Sequence, residues 1–185
     1  MMKEQLVSLF EYGEWVNQRL LEAAATLTAE QFAQKILPGF GSVHLTLVHL
    51  LGAEVLWFAR WQGQSPKTIL SAGELPTVQA MRERWMELIG ERRTYFDALD
   101  EAVLGTVVHW TNMRGQPFAL PRWQVMLHCA NHSTHHRSEV AAMLSEHGHE
   151  PDSTDLLEFY LGRAGQSWKP SSLTSQSLAP PAAPR

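Results

Sequence analysis

Leu127–Val140 has the sequence LHCANHSTHHRSEV, and it falls in the middle of a predicted long helix. Positions four apart on an α-helix lie one turn apart on nearly the same face. His132 and His136 can therefore direct two imidazole rings at one point, the usual way for one helix to supply two metal ligands. His128 continues the stripe but lies about 12 Å of rise from His136, so a third ligand must come from another helix.

The histidine pair also has an interpretation that needs no metal. A histidine on an apolar helix face is most often a core residue with a hydrogen-bond partner, and Val125, Cys129 and Met143 lie on this stripe. Arg137 is expected to point to the opposite side. Two buried polar rings side by side are costly unless something satisfies them. A metal ion is one answer, and water with a carboxylate is another.

A second long helix, predicted over 42–62, offers the third ligand. It is apolar on most sides and holds His44 and His49, which lie about 140° apart around the helix axis, so only one can face a given centre. We predict that His49 does. Its face carries the small residues Gly52 and Ala53, which would leave room for an ion and a substrate.

The rest of the chain fits an all-α fold. Helical spacing of apolar residues predicts further helices, and two extended segments before the last long helix predict a short hairpin or loop excursion. The predicted long helices cover 3–25, 42–62, 77–99 and 121–147, the short helices 28–36 and 155–161, and the extended segments 106–110 and 116–120. Four long helices with such an excursion indicate a four-helix bundle.

Composition limits the domain organisation and the function. We expect one domain over 1–163, followed by a disordered tail over 164–185 that is rich in Ser, Pro, Ala and Gln. The charged residues of the third long helix are interpreted as a solvated face, not a binding patch. They are Arg82, Glu83, Arg84, Glu87, Glu91, Arg92 and Arg93.

Charge and cysteine content point to a cytoplasmic setting. The formal net charge of -4 for 185 residues gives no basic face for nucleic acid and no attraction to an anionic membrane. Cys129 is the only cysteine, so an intrachain disulfide is excluded and a reducing compartment is favoured. The N-terminus does not read as a secretory signal, and no apolar run approaches the roughly 18 residues of a membrane span.

Three stretches of the sequence resemble the DinB/YfiT-like family of four-helix-bundle metalloenzymes. Asn131–Arg137 is similar to the family block N-H-x-x-H-H-R-G-Q, and this match is fairly specific. His44–Trp57 resembles the single-histidine segment of the family's second helix. The turn at Thr111–Asn112, with Gly115 before Pro121, resembles the loop ahead of the last long helix. The resemblance extends over about 6–161.

The resemblance implies the same metal ligands that helix geometry favours, namely His49, His132 and His136. It also implies that His135 points away from the ion. The sequence departs from the family block at Ser138–Glu139, where the block has Gly-Gln. This carboxylate has three candidate roles: accepting a hydrogen bond from a ligand's second nitrogen, joining the coordination sphere, or forming an outward salt bridge.

Three imidazoles without a fourth protein ligand are typical of a catalytic metal site. Members of the resembled family include transferases and isomerases that use bacillithiol, mycothiol or glutathione. We therefore expect a metal-dependent, thiol-dependent S-transferase. A metal-dependent hydrolase, a stress-related metal-binding protein without catalysis and a purely structural bundle remain alternatives. Cys129 lies one turn before His132, but a buried cysteine is usually a small hydrophobe, and the sequence identifies no general base.

The expected cofactor is one divalent metal ion, zinc or nickel in preference to iron or manganese, although nitrogen ligation alone does not choose the metal. The expected partners are a small-molecule substrate, which includes a low-molecular-weight thiol, and a second copy of the chain in a homodimer. Nucleic acid and membrane are not expected partners. Trp57 and Trp61 follow His49 by two and three turns, and one hypothesis has them line a pocket.

Overall fold

The computed structural model describes residues 2–167, and within them the protein is an all-α four-helix bundle with one small hairpin, as predicted. The helix α6 packs along both α3 and α1, and α4 packs against the same two helices. The elements are α1 (Met2–Ala24), α2 (Ala29–Ala33), α3 (Val43–Trp61), α4 (Val78–Ala98), α5 (Glu101–Leu104), β1 (Val107–Thr111), β2 (Pro117–Pro121), α6 (Arg122–Glu146) and α7 (Leu156–Arg163).

Side-chain caps fix where the helices begin. The hydroxyl of Ser42 accepts a hydrogen bond from the Leu45 backbone at the start of α3, and Thr77 does the same for α4. Such caps satisfy backbone N–H groups that have no partner within the helix. Thr28 opens α2 with a capping box, but α2 ends at Ala33 and not near residue 36 as predicted. The chain turns there because the backbone N–H groups of residues 36 and 37 bond to the carbonyl of Gly41, which has φ 82°.

The most apolar helix, α3, is the centre of the core. Val43, Leu47, Leu50 and Leu51 have no exposed surface. Among the described residues, α3 alone is long and apolar enough to cross a membrane by length and composition, contrary to the expectation that no apolar run approaches that length. However, 67% of its most apolar window is buried inside the protein. Burial on most sides is what a core helix of a bundle requires.

The predicted hairpin forms between β1 and β2, which pair antiparallel with Trp110 opposite Phe118. Its turn is held by Asn112, whose side-chain oxygen accepts hydrogen bonds from the backbone N–H groups of Arg114 and Gln116. Gly115 supplies the positive φ of 79° that the turn needs. The hairpin leads directly into α6, the helix that carries the histidine block.

The chain divides into two units after Asp152. The second unit contains α7, which begins where the Asp155 carboxylate accepts a hydrogen bond from the Leu157 backbone. The predicted tail lies outside the described residues from position 168 onward. The predicted boundary at residue 163 therefore stays a prediction.

One prediction about α4 is wrong, because Arg92 does not lie on a solvated face. Its guanidinium is buried and donates to the carboxylate of Glu54 on α3 at 2.8 Å. Arg137 on α6 donates to the other oxygen of Glu54 at 2.9 Å, so Arg137 also points into the core. The two arginines offset the cost of burying a carboxylate that is 1% exposed.

This buried ion cluster also includes α1. The Nε of Arg137 donates to the side-chain oxygen of Asn17 at 2.8 Å, and Gly13 lies so close that an added Cβ would be 2.4 Å from the guanidinium. Arg92 extends the cluster to Glu14, at 3.4 Å. The ion cluster therefore joins all four long helices, because each of its charged side chains contacts a partner on another helix.

Candidate metal centre

The structure brings His49, His132 and His136 together. One nitrogen from each ring lies within 4.8 Å of the other two, and the Nε2 atoms of His49 and His132 are 3.3 Å apart. The ring of His136 is 4.5 Å from each of the other two rings, centroid to centroid. The three residues that the sequence singled out as metal ligands thus form one cluster between α3 and α6.

The other histidine of α3 lies elsewhere, as the helix geometry required. The Nε2 of His44 contacts the carbonyl of Leu75 at 2.8 Å, and the ring stacks on Phe32. His44 therefore bonds to the backbone just before α4, and His49 alone faces α6. His128, one turn before His132, has its ring 5.9 Å from the His132 ring and is not part of the cluster.

The environment keeps His49 and His132 neutral at physiological pH. Burial, with a smaller contribution from the neighbouring His136, lowers the pKa of each ring from 6.5 to about 4. A neutral imidazole has a lone pair on one ring nitrogen, which is the form that binds a metal ion. The Nδ1 of His132 is buried and has no hydrogen-bond partner, so this ring is not satisfied by the protein itself.

Glu139 orients His136. One carboxylate oxygen of Glu139 accepts a hydrogen bond from Nδ1 of His136 at 2.7 Å, and the other lies 3.2 Å from Nε2 of the exposed His135. Of the three candidate roles of Glu139, the structure has the bond to a ligand's second nitrogen. With Nδ1 as the donor, Nε2 is the nitrogen of His136 that remains for a metal, and such carboxylate–histidine pairs support many metal sites.

His135, His136 and Glu139 form a second group whose ligand atoms also lie within 4.8 Å of one another. Its carboxylate already accepts a hydrogen bond from His136 and contacts His135 with its other oxygen, whereas the Nε2 atoms of His49 and His132 in the first group face one another. The first group therefore fits a divalent ion better. Three nitrogen donors without a carboxylate or thiolate suit zinc, nickel or iron.

Of three further side chains near the centre, Cys129 is the small buried group that was expected, whereas Trp61 differs from its predicted role. Cys129 is fully buried, and burial raises its pKa to about 12, so its thiol is not a nucleophile at neutral pH. Trp61 is also fully buried, packs on Phe10 and does not line a pocket. Trp57 is half-buried, and its ring lies 4.8 Å from the ring of His128.

The space predicted beside Gly52 is already filled. A Cβ at Gly52 would lie 2.8 Å from Ile69, in the connection between α3 and α4. The small residue therefore permits close packing of that connection and does not make room for a substrate.

Phe40 is a member of the centre that sequence reasoning missed. Its ring stacks on His49 with the centroids 4.1 Å apart and meets the edge of His136 at 5.9 Å. It lies in the loop before α3, between Gly39 and Gly41, which both have positive φ. The sequence had indicated only a helix stop there. An aromatic residue between two glycines was the available signal, because the glycines allow the backbone to turn the ring back onto α3.

Comparison with known proteins agrees with this architecture. The sequence matches the model of the DinB family over residues 1–166. Protein DinB of Bacillus subtilis (strain 168) is 24% identical over 161 residues, which cover 83% of this chain and 92% of that protein. The matched region contains the whole bundle and all three histidines of the centre. The chain belongs to the DinB family.

Proposed function

We propose that this protein is a metal-dependent transferase that uses a low-molecular-weight thiol, with one divalent ion held by His49, His132 and His136. The observation that carries the proposal is the convergence of three imidazole rings from two helices, with ligand nitrogens within 4.8 Å of one another. Three protein ligands leave a position open for a small molecule. Zinc or nickel is the proposed ion, and His136, oriented by Glu139, is the most rigidly placed ligand.

A bound divalent ion would supply Lewis acidity, which lowers the pKa of a coordinated thiol or water. The protein's own residues favour the thiol. The nearest carboxylate, Glu139, is engaged with His135 and His136, so it is poorly placed to take a proton from water as a general base. A thiol that loses its proton on binding needs no such base. Cys129 cannot serve as an internal nucleophile because it is buried and protonated.

The partial exposure of the centre supports binding of a small molecule there. His49 and His132 are half-buried, and Phe40, which stacks on His49, is 42% exposed. Phe40 would exclude water from one face of the His49 ring while offering an apolar surface to a substrate. We propose that Phe40 positions the second substrate.

Metal binding is the first test. Protein expressed with zinc or nickel present should contain close to one ion per chain by elemental analysis. His49→Ala, His132→Ala and His136→Ala should each lose it. His109→Ala is the matched control, because His109 is an exposed histidine on β1, and it should retain the ion. Metal-free wild-type protein with an ordered core would overturn the proposal and leave a structural bundle.

Turnover separates the remaining classes. The metal-loaded protein should catalyse conjugation of a thiol to small electrophiles, with glutathione, cysteine and N-acetylcysteine as the first panel, and His132→Ala should lose this activity. Hydrolysis of small esters without any thiol would instead identify a metal-dependent hydrolase. Stoichiometric metal without either activity would indicate a metal-binding protein that does not catalyse a reaction.

The proposed setting is the cytoplasm, where such thiols are abundant and the lone cysteine stays reduced. We also propose a homodimer. Sedimentation velocity at micromolar concentration should give twice the chain mass of 20.9 kDa, and a single species at the chain mass would contradict the dimer.

A further inference from the structure

We infer that Arg60 forms a binding site for the carboxylate of a small ligand, beside the candidate metal centre. Arg60 lies in the last turn of α3 and is 6% exposed. Its guanidinium lies over the ring of Trp57, with the central carbon 4.4 Å from the ring centroid. Stacking of this kind holds the planar group in one orientation and leaves its N–H edge available.

The charge of Arg60 lacks a counter-charge within residues 2–167. The other two buried arginines, Arg92 and Arg137, each contact the carboxylate of Glu54 within 3 Å. Arg60 has no ion pair of this kind in the described chain, and its Nε has no hydrogen-bond partner. Desolvation correspondingly lowers the pKa of Arg60. A buried charge without a partner is costly, and attraction to the ring of Trp57 offsets only part of that cost.

The position of Arg60 connects it to the metal centre. Arg60 follows His49 by 11 residues, which is about three turns, so both lie on nearly the same face of α3 about 16 Å of rise apart. Helical side chains tilt toward the N-terminus, which brings the guanidinium closer to His49. A series of ring contacts covers the same interval, crossing from Trp57 on α3 to His128 on α6 at 4.8 Å and continuing along α6 from His128 to His132 at 5.9 Å.

A carboxylate fits this position best. The guanidinium fork matches the two oxygens of a carboxylate, and the aromatic ring of Trp57 forms an apolar wall for the ligand's carbon atoms. A phosphate group can accept the same pair of hydrogen bonds from the guanidinium, so inorganic phosphate is included in the test. The assignment of this carboxylate to the thiol cosubstrate rests on the proposed function, whereas binding of the carboxylate itself does not.

The test uses the full-length, metal-free protein and a pair of probes that differ only by the acid group. N-acetylalanine and N-ethylacetamide are titrated while the indole N–H signal of Trp57, assigned with Trp57→Phe, is followed by NMR. N-acetylalanine should bind at least about tenfold more tightly, since a charge-assisted hydrogen bond is lost with the acid. Arg60→Gln should remove that difference. Arg114→Gln, an exposed arginine in the hairpin turn, should keep it.

Equal binding of the two probes to the wild type would overturn the inference without any variant. Retention of the preference in Arg60→Gln would overturn it as well, and phosphate binding tenfold tighter than N-acetylalanine would overturn the choice of carboxylate. Arg60→Gln should unfold at the same temperature as the wild type or a higher one, because it removes an unpaired buried charge. If Arg60→Gln does not fold, the comparison of N-acetylalanine with N-ethylacetamide on the wild type still tests the inference.

The transferase proposal can fail independently of this site. With metal present, N-acetylcysteine should be a better cosubstrate than N-acetylcysteamine, which lacks the carboxylate, and Arg60→Gln should raise KM for the former with little change in kcat. Absence of turnover with every thiol, together with intact N-acetylalanine binding, would reject the transferase and leave the carboxylate site standing.

Discussion

Glu54 and His49 belong to the same helix, five residues apart, yet the polar clusters around them differ in kind. The carboxylate of Glu54 meets two guanidinium groups within 3 Å and an indole N–H from Trp85 at 3.3 Å. The ring of His49 meets two other rings that carry no opposite charge. Five residues correspond to about 140° around a helix, so α3 presents one cluster to each side.

The ion cluster around Glu54 is complete, because its charged groups have partners within the protein. The histidine cluster of His49, His132 and His136 is not complete, and it is called the open cluster below. Burial alone would raise the pKa of Glu54, but Arg92 and Arg137 outweigh it and hold the pKa below 4.5. The charges of that cluster therefore balance within the fold. In the histidine cluster, the facing Nε2 atoms of His49 and His132 share at most one proton, and Nδ1 of His132 has no partner. A cation would therefore stabilise the histidine cluster, whereas it would not stabilise the ion cluster.

The largest expected effect comes from breaking the ion cluster. Glu54→Gln keeps the shape of the side chain but leaves Arg92 and Arg137 without their shared carboxylate. Removing one partner of a buried ion pair costs about 3–5 kcal/mol, and the free energy of unfolding in urea should fall by that amount. Glu87→Gln, in an exposed pair with Arg84, is the matched control and should change stability by less than about 1 kcal/mol.

Replacing the whole ion cluster sharpens this prediction. A triple variant with Glu54→Leu, Arg92→Leu and Arg137→Met should recover most of the lost stability, since well-packed apolar groups often equal a buried ion network. The same variant should still bind metal if the cluster only holds the helices together. If Glu54→Gln lowered the free energy of unfolding no more than Glu87→Gln, the ion cluster would not be the completed cluster described above.

Metal should stabilise the open cluster by a smaller amount. Free zinc or nickel at 100 times its Kd should raise the free energy of unfolding by about 2.7 kcal/mol, measured by thermal or urea unfolding. His132→Ala should abolish this increase while changing the stability of the metal-free protein little, because the ring is only half-buried. Equal stabilisation of wild type and His132→Ala would place the ion somewhere else.

A still smaller effect should come from the residue that orients His136. Glu139→Gln replaces the acceptor of the 2.7 Å bond to Nδ1, and such changes cost about 10–100-fold in metal affinity, measured by competition with a chromophoric chelator. His135→Ala is the control, since that ring is exposed and contacts the other oxygen of Glu139. Equal losses in both variants would contradict a specific role of the bond between Glu139 and His136.

Helix periodicity was sufficient to predict the open cluster. The pairing of His132 with His136, and the rule that only one of His44 and His49 can face α6, depended only on angles along single helices, which hold wherever a helix is regular. The preference for His49 also used the small residue Gly52, and that reason fails because Ile69 packs against it. The caps Ser42 and Thr77 were equally visible, because capping depends on residues within one turn. The bundle followed from four long amphipathic stretches.

The ion cluster could not be predicted in this way. Arg92 stands among charged residues on α4 and looks the same as its exposed neighbours in sequence. Its burial depends on Glu54, which is 38 positions away and on another helix. Phe40 presented the same difficulty, since its contact with His49 depends on the turn made by Gly39 and Gly41. Interactions between elements are set by packing, which no single-helix pattern contains.

The last and smallest effect is a pH dependence that differs between the two clusters. His49 and His132 titrate at about 4 in the folded protein and at 6.5 when unfolded, so below pH 6.5 the unfolded chain takes up protons that the folded chain does not. Metal-free stability should therefore fall between pH 6.5 and 4 through these rings. Water screens the half-exposed rings, which keeps the slope shallow.

Glu54 acts in the opposite range: its contribution is intact above pH 4.5 and is lost only below it, as its lowered pKa is reached. In urea unfolding at each pH, His49→Ala should reduce the upper slope, the double variant His49→Ala with His132→Ala should remove it, and Glu54→Gln should remove the lower slope alone. If His49→Ala and the wild type have the same slope between pH 6.5 and 4.5, the rings are not held neutral by burial.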